Sequence, residues 1–172
     1  RNDVNEQEYI HMIRLKTAVL LAASLKIGAI IGGANDDEAN ELYNFAIYLG
    51  LAFQLKDDFL DVYGNPETFG KRIGGDILCN KKTYMLITAL KKADAVQREE
   101  LERWLTVSDY HAAEKIEAVT RIYNEIGVDK CCGWIVEDYY NQGLGILERL
   151  SVSAERKEVL KSFVCSLMGR KV

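Results

Sequence analysis

The 172-residue chain is predicted to be all-α, a bundle of about seven helices that forms a single domain over residues 1–172. Three observations support this prediction. Apolar residues recur at helical spacing, no stretch alternates apolar and polar residues as a half-buried strand would, and the chain contains one proline, Pro66. The length suits one domain with a sizeable hydrophobic core.

Capping residues and glycines delimit the predicted helices. Asn5 followed by Glu8 predicts a capping box before a first helix, which ends at Gly32. Asn35 starts the second helix, and Gly64 ends it. The later helices are predicted from Lys81 or Lys82 to Leu90, around Glu99 to Leu105, from Ser108 to Gly127, from Asp129 to Leu150, and from Ser153 to Met168.

Composition argues against several classes of function. A net charge of −4 and a pI near 5.3 are not those of a general nucleic-acid binder. The longest apolar run, residues 18–25, is too short to span a bilayer. The four cysteines lack metal-ligand spacing, and the sequence carries no secretion signal. We therefore expect reduced thiols in a cytoplasmic protein without a membrane span.

The second helix carries an aspartate-rich motif, D-D-x-x-D, formed by Asp57, Asp58 and Asp61. Helical spacing puts Gly50, Gln54, Asp57 and Asp61 on one stripe, with Asp58 beside it. Three acids on one apolar turn repel each other and call for a cation. Oxygen ligands favour Mg²⁺, which takes one or two carboxylates and often holds substrate phosphates. The motif predicts a metal site for a phosphorylated substrate; the alternative is a solvated helix face.

Basic residues and glycines supply a second signal. Lys16 and Thr17 have the donors to bind a phosphate, although a lysine at the edge of an apolar helix can simply extend to water. A glycine-rich loop over residues 64–80 contains Lys71 and leads directly to Lys81. Glycines let the backbone approach a ligand closely, and the P-loop pattern G-x-x-x-x-G-K-[ST] is absent. Beside the acids, the loop predicts diphosphate binding; the alternative is a surface loop.

The order K-T, F-Q-x-x-D-D-x-x-D and G-K-x-x-G-G-D-x-x-x-x-K closely resembles the C-terminal half of the trans-prenyl diphosphate synthases. That family includes the farnesyl, geranylgeranyl and longer polyprenyl synthases. The resemblance runs from about Tyr9 to at least Leu90. It implies a helical bundle of the isoprenoid synthase type and a homodimer. It also implies Mg²⁺-dependent condensation of an allylic prenyl diphosphate with isopentenyl diphosphate in isoprenoid biosynthesis.

The resemblance also implies a role for each motif residue. The implied Mg²⁺ ligands, which face the allylic diphosphate, are Asp57, Asp58 and Asp61. The lysines implied to grip that diphosphate are Lys16, Lys71 and Lys81. Thr17 and Gln54 match a polar pair that stabilises the developing carbocation, which makes them catalytic with Lys16 and Asp57. Phe53 matches an aromatic residue that lines the condensation site.

One departure limits what the chain is expected to do alone. Synthases of this family carry two aspartate-rich motifs, whereas this chain has one. Asp36 and Asp37 do not form a second, because the offset for the third acid, position 40, holds Asn40. We therefore expect the C-terminal part of a longer synthase, without the N-terminal part that bears the first motif, and inactive by itself.

Two alternatives to a synthase remain. One is a non-catalytic subunit of a heteromeric prenyl synthase, against which the intact D-D-x-x-D argues. The other is a class I terpene cyclase, against which the absence of N-D-x-x-S-x-x-x-E argues.

Overall fold

The computed structural model describes residues 3–65 and 73–169, and every regular element in those ranges is helical, which confirms the all-α prediction. The first elements are α1 (Glu6–Ile13), a π-helical turn (Arg14–Ala18), α2 (Val19–Ile31) and α3 (Asp36–Tyr63). The later elements are α4 (Gly75–Leu78), α5 (Tyr84–Lys92), α6 (Ala95–Thr106), α7 (Ala112–Ile126), α8 (Val128–Arg149) and α9 (Ala154–Met168).

Capping boxes start the first two long helical segments. The backbone N–H of Asn5 donates to Glu8 Oε2 at 3.1 Å, and the N–H of Glu8 donates to Asn5 Oδ1 at 2.9 Å. Asn35 and Glu38 form the same reciprocal pair in front of α3. Both predicted helix starts are therefore confirmed, because each depends on contacts three residues apart.

Other predicted boundaries were wrong. Ser108 does not cap a helix, since α7 begins at Ala112 with His111 at its N-cap. The segment before α7 is held by a tertiary contact instead, in which the Tyr110 hydroxyl donates to the Leu78 carbonyl at 3.3 Å. Likewise, the predicted loop contains α4, and the π-helical turn interrupts the predicted first helix. Local capping signals cannot reveal any of these features.

Contacts between residues divide the chain into two compact units. Among the described residues, the first unit comprises residues 3–9, 57–65 and 73–134, and the second comprises residues 10–56 and 135–169. The first has a core that includes Leu60, Met85, Leu101, Ile122 and Val128. The second has a core that includes Phe45, Leu49, Leu147 and Val164. None of the helices in the described ranges has the length and apolarity needed to cross a bilayer.

Candidate functional site

The three carboxylates of the aspartate-rich motif lie at different depths. Asp58 is 2% exposed, whereas Asp57 and Asp61 are half-buried. Burial raises the pKa of Asp61, and a hydrogen bond from the backbone N–H of Asp76 partly opposes that shift. A carboxylate that is partly removed from water gains most from a nearby cation, because the cation offsets the loss of hydration.

Both carboxylate oxygens of Asp58 accept hydrogen bonds. The hydroxyl of Tyr9, in α1, donates to Oδ2, and the ammonium of Lys81 donates to Oδ1 at 2.9 Å. Tyr9 is itself buried, and burial together with the charge of Asp58 raises the pKa of its hydroxyl. Tyr9 therefore remains a protonated donor, and Asp58 has the partners that a buried anion requires.

Lys81 bridges Asp58 and Asp76. Its Nζ lies 2.9 Å from Asp58 Oδ1 and 2.6 Å from Asp76 Oδ2. Burial lowers the pKa of Lys81, but hydrogen bonds to Asp76 and Asp58 outweigh this effect and the net shift is upward. The side chain is still 34% exposed. Lys81 is therefore a positioned cation that remains accessible to an anionic ligand.

A glycine turn brings Asp76 to Asp61. The backbone N–H of Gly74 donates to the Asp61 carbonyl at 2.6 Å, and that of Asp76 donates to Asp61 Oδ2 at 2.8 Å. Gly74 has a φ of +82°, and a Cβ there would lie 2.6 Å from the side chain of Ile116. Backbone conformation and packing both require glycine at this position. The G-G-D part of the loop motif thus shapes the acid cluster.

The second unit contains a separate polar pair. Thr17 Oγ1 donates to Gln54 Oε1 at 2.9 Å. Thr17 lies in the π-helical turn, a widened form of helix that often occurs at functional sites. One turn before Gln54, Gly50 packs so closely that a Cβ there would lie 2.6 Å from Ala18 Cα. This close approach aligns the two segments so that Thr17 meets Gln54.

Three predicted site residues remain, which are Lys16, Phe53 and Lys71. Lys16 is exposed and makes no hydrogen bond or ion pair with any residue in the described ranges. Phe53 is half-buried on α3. Lys71 and Pro66 lie outside the described residues. The site residues thus form two groups, each within one unit. One is the cluster of Tyr9, Asp58, Asp61, Asp76 and Lys81, and the other is the pair of Thr17 and Gln54.

Sequence reasoning did not identify Tyr9 as a site residue and placed it only on the first helix. A tyrosine on the apolar face of a helix is a weak signal for a buried polar network, because its hydroxyl needs a partner once it is buried. The partner, Asp58, is 49 residues away in the chain, so nothing local identifies it.

The donor chemistry of α3 suits a hard divalent cation. Asp57 and Asp61 are half-buried oxygen donors one helical turn apart, while Asp58 already accepts two hydrogen bonds. In the described parts of the chain, no group of three or more His, Cys, Asp or Glu side chains converges as a metal site. Mg²⁺ commonly takes only one or two protein carboxylates and completes its shell with water and phosphate oxygens. These residues therefore fit a cation that is bound together with a phosphorylated ligand.

Comparison with known proteins identifies a family. The family model described as polyprenyl synthetase matches residues 1–126. A short chain isoprenyl diphosphate synthase from Methanothermobacter thermautotrophicus is 39% identical over 158 residues, which cover 91% of this chain and 47% of the relative. A geranylgeranyl pyrophosphate synthase crystal structure aligns with a TM-score of 0.91 at 41% identity, covering 100% of this chain and 54% of that one.

A polyprenyl synthase from Caulobacter crescentus, solved in complex with calcium and isoprenyl diphosphate, aligns with a TM-score of 0.86. It is 26% identical, and the alignment covers 99% of this chain and 52% of that one. The chain thus spans about half the length of the relatives that it matches. The helical fold is that of the prenyl synthases, as the resemblance implied. The family model covers well over half of the 172 residues, and the chain therefore belongs to the polyprenyl synthetase family.

Proposed function

We propose that this chain supplies the metal- and diphosphate-binding part of a prenyltransferase. The parent enzyme would join an allylic diphosphate to isopentenyl diphosphate and release diphosphate and one proton. The observation that carries the proposal is Lys81, which is held between Asp58 and Asp76 and stays accessible to an anion. The relatives named as isoprenyl diphosphate synthases support the reaction class. The Caulobacter crescentus structure supports a divalent cation and a prenyl diphosphate as ligands of this fold.

The chemistry that such a site must perform is the cleavage of an allylic C–O bond. Diphosphate leaves only when its growing negative charge is neutralised. Mg²⁺ bound by Asp57 and Asp61 would supply Lewis-acid stabilisation of that charge. Lys81 adds a cation whose position is already determined by two hydrogen bonds, so it need not reorganise during the reaction.

Thr17 and Gln54 would act on the other product of that cleavage, the carbocation. Their hydrogen bond orients the Thr17 hydroxyl toward the Gln54 carbonyl oxygen. Oxygen dipoles held in this way stabilise positive charge that develops in an apolar surrounding. Phe53, the neighbour of Gln54 in sequence, would line the space for the condensing substrate. Lys16 and Lys71 would add cationic groups that bind diphosphate.

The same family likeness supports a homodimeric parent enzyme that works in the cytoplasm. Mg²⁺, rather than Ca²⁺, is the proposed physiological cation, because one or two carboxylates with phosphate oxygens form the usual Mg²⁺ environment.

Calorimetric titration of inorganic diphosphate, with and without Mg²⁺, tests the binding part of this proposal. We expect Mg²⁺-dependent binding to the unaltered chain and at least about tenfold weaker binding to Asp57→Asn, which keeps the shape of the side chain but removes its charge. Asp109→Asn, at an exposed aspartate between α6 and α7, is the control and should bind normally. Binding that does not need Mg²⁺, or no binding to the unaltered chain, would contradict the proposal.

A further inference from the structure

Lys115, on α7, is a buried lysine that the proposed chemistry does not use. It is 1% exposed, although lysine is almost never fully buried without a partner. Its Nζ donates to Asn80 Oδ1 at 2.7 Å and lies 4.4 Å from the centre of the Tyr110 ring. Burial lowers the pKa of Lys115, which reflects the cost of keeping a cation there. An apolar side chain at position 115 would avoid that cost, so the hydrogen bond from Lys115 to Asn80 points to a specific role for the lysine.

Asn80 has an unusual backbone conformation that its side chain helps to hold. Its φ is +52°, and no other residue except glycine has a positive φ in the described ranges. Asparagine tolerates this left-handed region better than most residues, but the conformation still costs free energy. Both ends of the amide are engaged, because Oδ1 accepts from Lys115 and Nδ2 donates to the Leu105 carbonyl at 3.0 Å. Leu105, near the end of α6, and Lys115, near the start of α7, therefore both bind the Asn80 side chain.

The next residue in the chain is Lys81. The turn at Asn80 lies between α4 and α5, and the backbone N–H of Lys81 donates to the Asp76 carbonyl at 3.0 Å. From that point the Lys81 side chain reaches both Asp58 and Asp76. A change in the backbone at Asn80 would move the start of the Lys81 side chain and misalign it with the two carboxylates.

We infer that Lys115 and Asn80 form an anchor that positions Lys81 for diphosphate binding. Lys115 acts through Asn80, and neither residue needs to touch the ligand. Tyr110 reinforces the anchor, because its ring packs on the Lys115 ammonium and its hydroxyl donates to the Leu78 carbonyl. Segment 105–115 thus holds segment 78–80 at three points. The role assigned to Lys81 rests on the proposed function, whereas the anchoring of its backbone does not.

Amide hydrogen exchange of the ligand-free chain, followed by NMR, tests the anchor directly. The variants are Lys115→Met, which keeps length and removes the donor, and Asn80→Gly, which keeps the left-handed backbone accessible and removes the amide. In each we expect the Lys81 amide to exchange roughly tenfold faster, relative to the amides of α8, than in the unaltered chain. The double variant should add little, because both changes break the same contact. Lys130→Met, at an exposed lysine, is the control.

Two results would overturn the inference. One is unchanged protection of the Lys81 amide in the variants. The other is an equal loss of protection in α8, which would indicate general destabilisation. If Lys115→Met fails to fold, Asn80→Gly decides the question alone, because it leaves Lys115 in place.

Titration of inorganic diphosphate in the presence of Mg²⁺ then connects the anchor to function. We expect each single variant to bind about tenfold more weakly, as is typical when the support of a binding residue is removed. The double variant should be no weaker than the weaker single variant. Normal binding by both variants would overturn the functional role of the anchor. If the unaltered chain does not bind, the proposed function fails, but the exchange experiment still decides whether the anchor exists.

Discussion

Tyr9 and Asp58 are 49 residues apart in the chain and are joined by a buried hydrogen bond. Each side chain is almost completely enclosed, so neither can turn to water for a substitute partner. The bond occupies one oxygen of Asp58 and leaves the other for Lys81. Helix α1 therefore helps to hold the carboxylate that, in turn, holds the lysine.

Replacing Tyr9 by phenylalanine should destabilise the protein without leaving a large cavity. The variant removes the donor to a buried carboxylate oxygen, which lowers the free energy of unfolding by about 1–3 kcal/mol. Chemical denaturation measures this change. Tyr43→Phe is the control, because the half-buried Tyr43 hydroxyl has no hydrogen bond to the described residues. Equal stability of the Tyr9→Phe variant and the unaltered chain would show that the bond contributes nothing.

Lys81→Met should affect ligand binding much more than Lys82→Met. Lys81 is the cation held by Asp58 and Asp76, whereas its half-buried neighbour Lys82 makes no ion pair within the described ranges. We expect Mg²⁺-dependent diphosphate binding to weaken by at least about tenfold in the first variant, because a charge-assisted contact is lost. Calorimetric titration of both variants provides the comparison. Similar affinities of the two variants for diphosphate would show that Lys81 does not contribute to the binding site.

The hydrogen bond between Thr17 and Gln54 should appear as coupling in a double-mutant cycle. Thr17→Val and Gln54→Leu each remove one partner and preserve the approximate size of the side chain. We expect a coupling free energy of about 0.5–1.5 kcal/mol, since the double variant loses the same bond only once. Unfolding of the four proteins in denaturant measures it. Strictly additive effects would mean that the two side chains do not interact in solution.

Gly50→Ala should destabilise the second unit, because the new methyl group would collide with the backbone of Ala18. Overpacking of this kind costs about 1–3 kcal/mol. Gly28→Ala, in the interior of α2, is the matched control, since a Cβ there meets nothing within 4 Å. In that open position alanine should stabilise the helix by about 0.5–1 kcal/mol. Thermal unfolding should therefore show a lower melting temperature for Gly50→Ala and a higher one for Gly28→Ala than for the unaltered chain.

The 172-residue chain should not catalyse prenyl transfer by itself. The family resemblance implies a second aspartate-rich motif, and these residues contain only one. Incubation with an allylic diphosphate, isopentenyl diphosphate and Mg²⁺, followed by analysis for prenyl products, is the assay. Metal-dependent turnover that disappears in Asp57→Asn would show this expectation to be wrong.

Local sequence signals predicted most of the helical architecture correctly. The pairs Asn5–Glu8 and Asn35–Glu38 mark helix starts because their contacts span three residues. Ser108 misled the prediction because capping preference is a weak local bias, and the segment before α7 is instead held by the contact of Tyr110 with Leu78. The π-helical turn has no such local signature and was missed.

The sequence by itself determined the all-α class and the order of motifs that marks the family. Both are written in residues close together along the chain, where helical periodicity and short spacings suffice. Only the tertiary structure decided that Tyr9 donates a hydrogen bond to Asp58, and that Lys115 donates one to Asn80, the residue before Lys81. These relationships join residues 49 and 35 positions apart, and they depend on burial, which removes water as a competing partner.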